Sequence, residues 1–231
     1  DLYKDHPYWV PPLWADEYDM FSPVHNPVLQ HCQLKLFVVI ENNVVKGRVA
    51  GIINHRENKL YGKSKARFGW YDVVDDPAVT ELLLEVIETW ARQSQMQEIE
   101  GPMSFTNLDK AGLLVEGFDQ LPTMATMYNP PYYATHLESI GYTKAVDWIE
   151  HELECPTVLS ERFIKFNDIL KEKYNLHTIQ IRSKDETTKY AYKMFELINK
   201  THRDLHGFVA FEPEQVKLYV RKYSRILKPE F

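Results

Sequence analysis

The sequence predicts an α/β protein of the α+β kind, with a mixed, mostly antiparallel central sheet and helices on both faces. Three observations predict it. Residues 33–41 and 44–54 alternate apolar and polar side chains and are separated only by Asn42-Asn43, which suits a tight hairpin turn with positive φ. Residues 66–74 are rich in aromatic and β-branched side chains and run into Asp75-Asp76-Pro77 and then an apolar stripe at helical spacing. From residue 156 onward the pattern is mainly helical, broken by one short strand-like run.

Residues 1–32 are aromatic and loop-rich. Pro7, Pro11, Pro12, Pro23 and Pro27 forbid a long helix, leaving short helical turns around residues 13–21 and 28–31. Such a segment packs over a core as a lid or lines a substrate groove. In the first strand Leu34, Leu36, Val38 and Ile40 alternate, and in the second Val45, Val49, Gly51 and Ile53 share one parity. Residues 56–65 read as a polar loop. The third strand stops at Asp75-Asp76-Pro77. There the Asp76 carboxylate can cap the following helix, and Pro77 fits its first position because no backbone donor is needed. Val79, Leu82, Leu83, Val86, Ile87 and Trp90 form that helix's apolar stripe.

Residues 98–103 read as a short strand, and 104–127 as a long loop of the kind that shapes a pocket. Pro130-Pro131 opens a short helix over 132–140, closed by Gly141, and 142–153 read as a long strand. Residues 156–175 form an amphipathic helix with Leu159, Phe163, Phe166, Ile169 and Leu170 on one face, and 177–182 a strand. Ser183 and Glu186 make a capping box for a helix reaching about residue 206, with Ala191, Met194, Ile198, Thr201 and Leu205 as its stripe and Gly207 as its end. A last helix starts near Pro213 and shows Val216, Tyr219, Tyr223 and Leu227.

Composition narrows the function classes. The 231 residues are 44% hydrophobic and 26% charged, which supports a sizeable core. The net charge of −6, without a dense basic run, argues against a nucleic-acid partner. The apolar runs are too short to span a membrane and no signal-peptide pattern is present. Two cysteines, Cys32 and Cys155, make no disulfide framework and point to a reducing cytoplasm. The chain begins without methionine and ends just after a helical pattern, so both ends read as cut.

The order strand, strand, strand, helix, strand, short helix, Gly-aromatic, long strand resembles the GNAT superfamily, which transfers an acyl group from coenzyme A to an amine. Residues 136–153, HLESIGYTKAVDWIEHEL, are similar to that family's late helix and following strand, and YNPPYY and NNVVKGRVAGIINHREN resemble a poorly characterised bacterial branch of it. The resemblance covers residues 1–155. It implies a GNAT-like acyltransferase domain over 1–155, a linker helix over 156–176, and over 177–231 either the start of a second, incomplete GNAT-like unit or a strand that completes the first sheet.

It further implies that an acetyl-CoA or other acyl-CoA co-substrate lies along Tyr71, Asp72 and Val73, with Asn129 bonding one of its amides. His136, Tyr133 and Tyr132 would be the proton-handling candidates, because Leu137 stands where the family resemblance would put a tyrosine. The phosphate turn departs from the family pattern. Val74-Asp75-Asp76-Pro77-Ala78-Val79 holds no glycine, one donor fewer and two carboxylates, and two like charges at 4 Å repel by about 1–4 kcal/mol depending on the surrounding dielectric. The carboxylates also read simply as helix caps. The sequence therefore carries two functions: an N-acyltransferase acting on an amine that it does not identify, or a GNAT-fold binding or assembly module that has lost the acyl donor. Expected partners are a small-molecule amine or an acyl-CoA, with no nucleic acid and no membrane, and a homodimer is allowed. No resident metal is expected. His202 and His206 are four apart on a predicted helix but lack the glutamate of a zinc-protease motif, and read as a solvated helix end.

Overall fold

The hairpin of β1 (Cys32–Glu41) and β2 (Val44–Asn54) starts a four-stranded sheet in the order β1-β2-β3-β4. The structure is a computed structural model that describes residues 2–123 and 126–223. Leu227, expected in the last helix, lies outside the described residues, as do residues 229–231. Asn42 and Asn43 turn the hairpin at φ 50° and 61°, the left-handed region that asparagine tolerates. β3 (Lys65–Val73) runs antiparallel to β2, and β4 (Glu98–Glu100) runs parallel to β3.

The chain divides into two compact units. The first holds the chain up to Thr143 together with Ile198–Gln215, and the second holds Lys144–Leu197 and the chain from Val216.

Within the first unit, α1 (Trp14–Phe21) and a single 3-10 turn (Pro27–Gln30) occupy the two places where the proline-rich segment permits helix. The expected polar loop after β2 is instead α2 (His55–Tyr61). Asn54 caps it by accepting from the Glu57 N–H at 3.0 Å, and Gly62 at φ 62° ends it. α3 (Pro77–Gln93) starts as its sequence requires: Asp76 Oδ1 accepts from the Ala78 N–H at 2.9 Å and Pro77 follows the cap. It packs Val79, Leu83, Leu84, Ile87 and Trp90 on the sheet. Leu82 and Val86 of the expected stripe are exposed, because Thr80, Leu84 and Ala91 share the buried face instead. Gly47 and Gly51 on β2 lie under this helix, leaving room for Leu83 and Trp90.

β3 joins its neighbours unevenly. Near its start it is held to β4, at Lys65↔Glu98, Ala66↔Ile99 and Arg67↔Glu100. A buried charge cluster fixes this end. The Lys65 ammonium meets Glu57 and Glu100, and the Arg67 guanidinium meets Glu57 at 2.7 Å and donates to the carbonyls of Ser104 and Gly207. His206 pairs with Glu100. Gly69 and Gly101 then let the backbones pass closely: a Cβ at Gly69 would stand 2.3 Å from the Met103 carbonyl oxygen. Past the end of β4, the Met103 N–H still donates to Phe68 O at 2.7 Å. Beyond it β3 carries a bulge, with Trp70 at φ 46° and the register slipping between Arg48↔Asp72 and Ala50↔Gly69. The expected strand over 98–103 is thus three residues long and is followed by an isolated bridge, Met103↔Ala111.

Two other expected strands are not formed. Residues 142–153 and 177–182 carry no strand, and Trp148, Ile149, Leu153 and Ile179 are exposed. Alternation alone cannot make a strand. Its backbone groups need a hydrogen-bonding partner, and no described strand offers one.

In the second unit α5 (Glu161–Tyr174) begins later than expected because Ser160, extended at ψ 146°, takes the N-cap place. Its apolar residues Phe163, Phe166 and Ile169 are exposed. α6 (Lys184–Thr201) opens with the Glu186 N–H bonded to Ser183 Oγ, as the capping box requires. It buries Phe195 rather than the expected Met194, and it stops before His202 and His206, which therefore share no helix. Phe195 stacks on Tyr219 of α7 (Pro213–Tyr223) at 5.8 Å.

Two outcomes follow. Gly69→Ala should cost about 1–3 kcal/mol in urea unfolding, since the Met103 backbone cannot yield as a side-chain tip would. Burial pushes the Glu100 carboxyl up, but Lys65 and His206 outweigh it and hold the group below its usual range. Its contribution is therefore present above roughly pH 4.5 and lost as pH falls, so stability measured at pH 7 and pH 4 should converge in Glu100→Gln relative to the parent.

Candidate functional site

The site forms where β3 has left β4. The Val74 N–H donates to Lys46 O on β2 at 2.9 Å, so by the alternation of an antiparallel ladder the amide of Val73 faces the other way, toward the side on which β4 pairs with the start of β3. No strand takes it. The Val73 N–H donates to the Tyr133 hydroxyl at 2.9 Å, and the Tyr132 hydroxyl donates to Val73 O at 2.8 Å. Both phenols come from the first turn of α4 (Tyr132–Ser139), which Pro130-Pro131 directs onto this edge. One oxygen accepting and one O–H donating is what the C=O and N–H of an extended amide would offer there.

Behind these hydroxyls lies a polar network. Tyr133 and Tyr3 hydroxyls are 2.7 Å apart, and Tyr3 donates to Asp72 Oδ1 at 2.7 Å. Arg48 holds the other Asp72 oxygen at 2.6 Å and is half exposed. Burial, followed by the nearby Asp72 carboxylate, pushes the Tyr3 and Tyr133 phenols well above their usual range. Tyr132 is pushed up to about 12 by burial and then by Asp75 and Asp72, and Tyr71 to about 12 by burial. Tyr132 and Tyr71 therefore keep their protons at neutral pH, and Tyr132 uses its own to donate to Val73 O.

His136 is buried in α4, and both ring nitrogens are engaged. Nδ1 lies 3.2 Å from Thr80 Oγ1 and Nε2 lies 3.1 Å from Asp75 Oδ1. A carboxylate only accepts, so in the neutral ring Nε2 carries the proton. Nδ1 then accepts from Thr80, which in turn accepts from the Tyr71 hydroxyl at 2.6 Å. This directed chain runs from Tyr71 in the core to Asp75, whose carboxylate is 70% exposed.

The structure thus brings together Tyr132, Tyr133, Val73 and Asp72, and ties His136 to Tyr71 through Thr80. It places Asn129 elsewhere. Asn129 is buried, its amide accepting from the Leu114 N–H and donating to the carbonyls of Leu114 and Pro130, which staples the long loop to the start of α4. Sequence reasoning does not reach Tyr3, Arg48 or Thr80, and it reads Asp75 as part of a cap. Only Asp76 caps; Asp75 serves His136. No local pattern links positions so far apart, although the aromatic N-terminal segment was the one clue to Tyr3. Neither of two surface grooves reaches Val73: one is lined by Lys35, Phe37, Val86 and Trp90, the other by Arg92, Met96, Ile99 and Tyr142. Among the described residues no cluster of three His, Cys, Asp or Glu could hold a metal, and no helix is long and apolar enough to cross a membrane. Cys32 is buried, with its thiol pushed up to about 12, and Cys155 is exposed.

The chain is similar to two bacterial proteins. It is 29% identical over 211 residues to Protein YghO of Escherichia coli, covering 91% of this chain and 53% of that protein. It is 30% identical over 149 residues to the bacterial ceramide synthase of Caulobacter vibrioides, covering 64% of this chain and 39% of that protein. The chain therefore spans about half, or less, of the length of these relatives. No family model matches, and neither does any solved structure.

Tyr133→Phe should destabilise the protein by about 1–3 kcal/mol in chemical denaturation, because the Val73 N–H is left without its buried acceptor. The raised phenols give a second outcome. Their contribution is fully present below roughly pH 10, the unfolded value, and is lost as pH rises beyond it. Melting temperature should fall above pH 10, with phenolate absorbance appearing together with unfolding.

Proposed function

We propose that this chain carries the donor half of an N-acyltransferase of the GNAT type, which moves an acyl group from a thioester such as acyl-CoA to an amine. The observation that carries the reading is the opened β3 edge, where the Val73 N–H and C=O are bonded by two side-chain hydroxyls that a ligand amide can replace. The reading is supported by the similarity to a protein named bacterial ceramide synthase. A ceramide is an amide of a fatty acyl group and a long-chain amino alcohol, so that name denotes the closing of an amide bond, and we extend it to a long-chain amine as acceptor here.

In this reading the thioester arm pairs with Tyr71 and Val73 along β3. The amine nitrogen attacks the thioester carbon, the C–N bond forms, and the C–S bond breaks to release the thiolate. The Tyr132 hydroxyl, freed from Val73 O, donates a hydrogen bond to the oxygen that becomes negative in the tetrahedral intermediate, while Tyr133 keeps its proton on Tyr3. The amine loses a proton toward the Asp72–Arg48 side, and His136 holds α4 in place through Asp75 and Thr80. The start of α3 does not fit a diphosphate: Asp75 and Asp76 are exposed there and no glycine bares the backbone. The charged end of the donor would have to follow another path, and Arg48 is the half-exposed cation in this network.

A second reading has its own support. The same carboxylates, together with an edge already closed by tyrosines, suit a GNAT-fold module that binds a partner and turns nothing over. Calorimetry with acetyl-CoA and palmitoyl-CoA, alongside an assay of thiol release with a long-chain amine, separates the two. The transferase reading expects saturable binding and amine-dependent release that falls at least tenfold in Tyr132→Phe. Flat titrations to millimolar donor and no release would leave the module.

A further inference from the structure

β1 is an edge strand of ten residues, Cys32–Glu41, and no described strand pairs with its outer side. Edge strands of this length are ordinarily protected by charge, proline or a bulge, because their free N–H and C=O groups template pairing with another chain. β1 has little such protection. Its sequence QLKLFVVIE carries two charges, and the extra residue at the Val39/Ile40 irregularity falls on β2, so β1 itself stays regular. Leu36, Val38 and Ile40 stand on one face, 57–59% exposed, with Val45 beside Ile40 across the hairpin. On the other face a groove lies between β1 and α3, lined by Lys35, Phe37, Glu85, Val86 and Trp90. Leu82, one turn before Val86 on α3, is also exposed.

We propose that β1 pairs antiparallel with β1 of a second copy of this chain, with the two-fold axis at Val38. The residue pattern picks this register. With Val38 opposite its own copy, Lys35 falls opposite Glu41, Leu36 opposite Ile40, and Phe37 opposite Val39, each pair occurring twice and each on one face. Both charges of the strand are then matched with opposite charges, and every remaining cross-strand pair through this stretch is apolar. A shift of two residues in either direction sets at least one charge against an apolar side chain. Self-pairing would join the Leu36–Val38–Ile40 rows of the two copies into one apolar surface. It would also bring the flanks of α3 that carry Leu82 and Val86 toward each other over an eight-stranded sheet. Glu41 now meets Lys46 at 3.4 Å, an exposed pair that leaves the carboxylate free to turn to a partner's lysine. Val73 lies two strands away from the outer edge of β1, so the assembly leaves the β3 edge untouched.

Sedimentation equilibrium of the 231-residue chain between 1 and 100 µM tests the proposal. A dimer is expected. Lys35→Glu and Glu41→Lys should each weaken it roughly tenfold, since each sets two like-charged pairs face to face. The double variant, which restores opposite charges in the same register, should recover most of the loss. Val38→Lys, which puts two ammonium groups at the axis, should give a monomer with a parental circular dichroism spectrum. If Val38→Lys misfolds, the charge-swap series still decides. A parent that is monomeric at 100 µM overturns the proposal, including one that binds a lipid vesicle through this face instead. A dimer indifferent to all four variants overturns it as well.

Discussion

The amide of Val73 is the constraint around which the first unit is arranged. A backbone N–H and C=O in a covered place must be bonded, and here the strand that would bond them has turned away. Two tyrosines at the start of one helix stand in for it. This substitution explains why α4 begins where it does, why Tyr3 is drawn in from the far end of the chain, and why Asp72 needs both a phenol and a guanidinium. A phenol is a replaceable partner in a way that a strand is not, because it leaves by rotation about its side chain rather than by unzipping a sheet.

β3 can be open at one end only because it is locked at the other. Glu57, Lys65 and Arg67 are buried with Glu100 at their margin, and a buried cluster of this sort contributes little net stability while making any single disruption costly. Its effect is positional. It holds three residues of β4 against β3, and the close pass at Gly69 and Gly101 then sets the angle at which the chains separate. The bulge at Trp70 adds local twist just beyond that point, turning Tyr71 into the core toward Thr80 and His136 while Asp72 faces Arg48.

Much of this architecture is legible in the sequence, because it rests on local rules. Asn42-Asn43, the Asp76-Pro77 cap, the Pro130-Pro131 opening and the Ser183–Glu186 box all act within four residues of themselves, and each appears where its chemistry puts it. What depends on distant partners was not legible. Residues 142–153 alternate like a strand but have no described neighbour to pair with, and Leu82 carries the helical period yet stays exposed because the helix turns Leu84 inward. Of the site, the sequence offered Tyr132, Tyr133, Val73 and His136 by position. The tie from His136 to Asp75 spans 61 residues and left no trace in any motif.

These features make one arrangement: a strand edge locked at its start, parted at its end, and held meanwhile by hydroxyls suited to an amide's place. The most direct measurement is the amide resonance of Val73 in nitrogen–proton correlation spectra, recorded while a non-reactive thioether analogue of palmitoyl-CoA is added. The account predicts saturable shifts at Val73 and Tyr71 and movement of the Tyr132 ring signals, with the amide of Ala78 at the capped start of α3 unchanged. A ligand that binds while Val73 and Tyr71 keep their positions would contradict it.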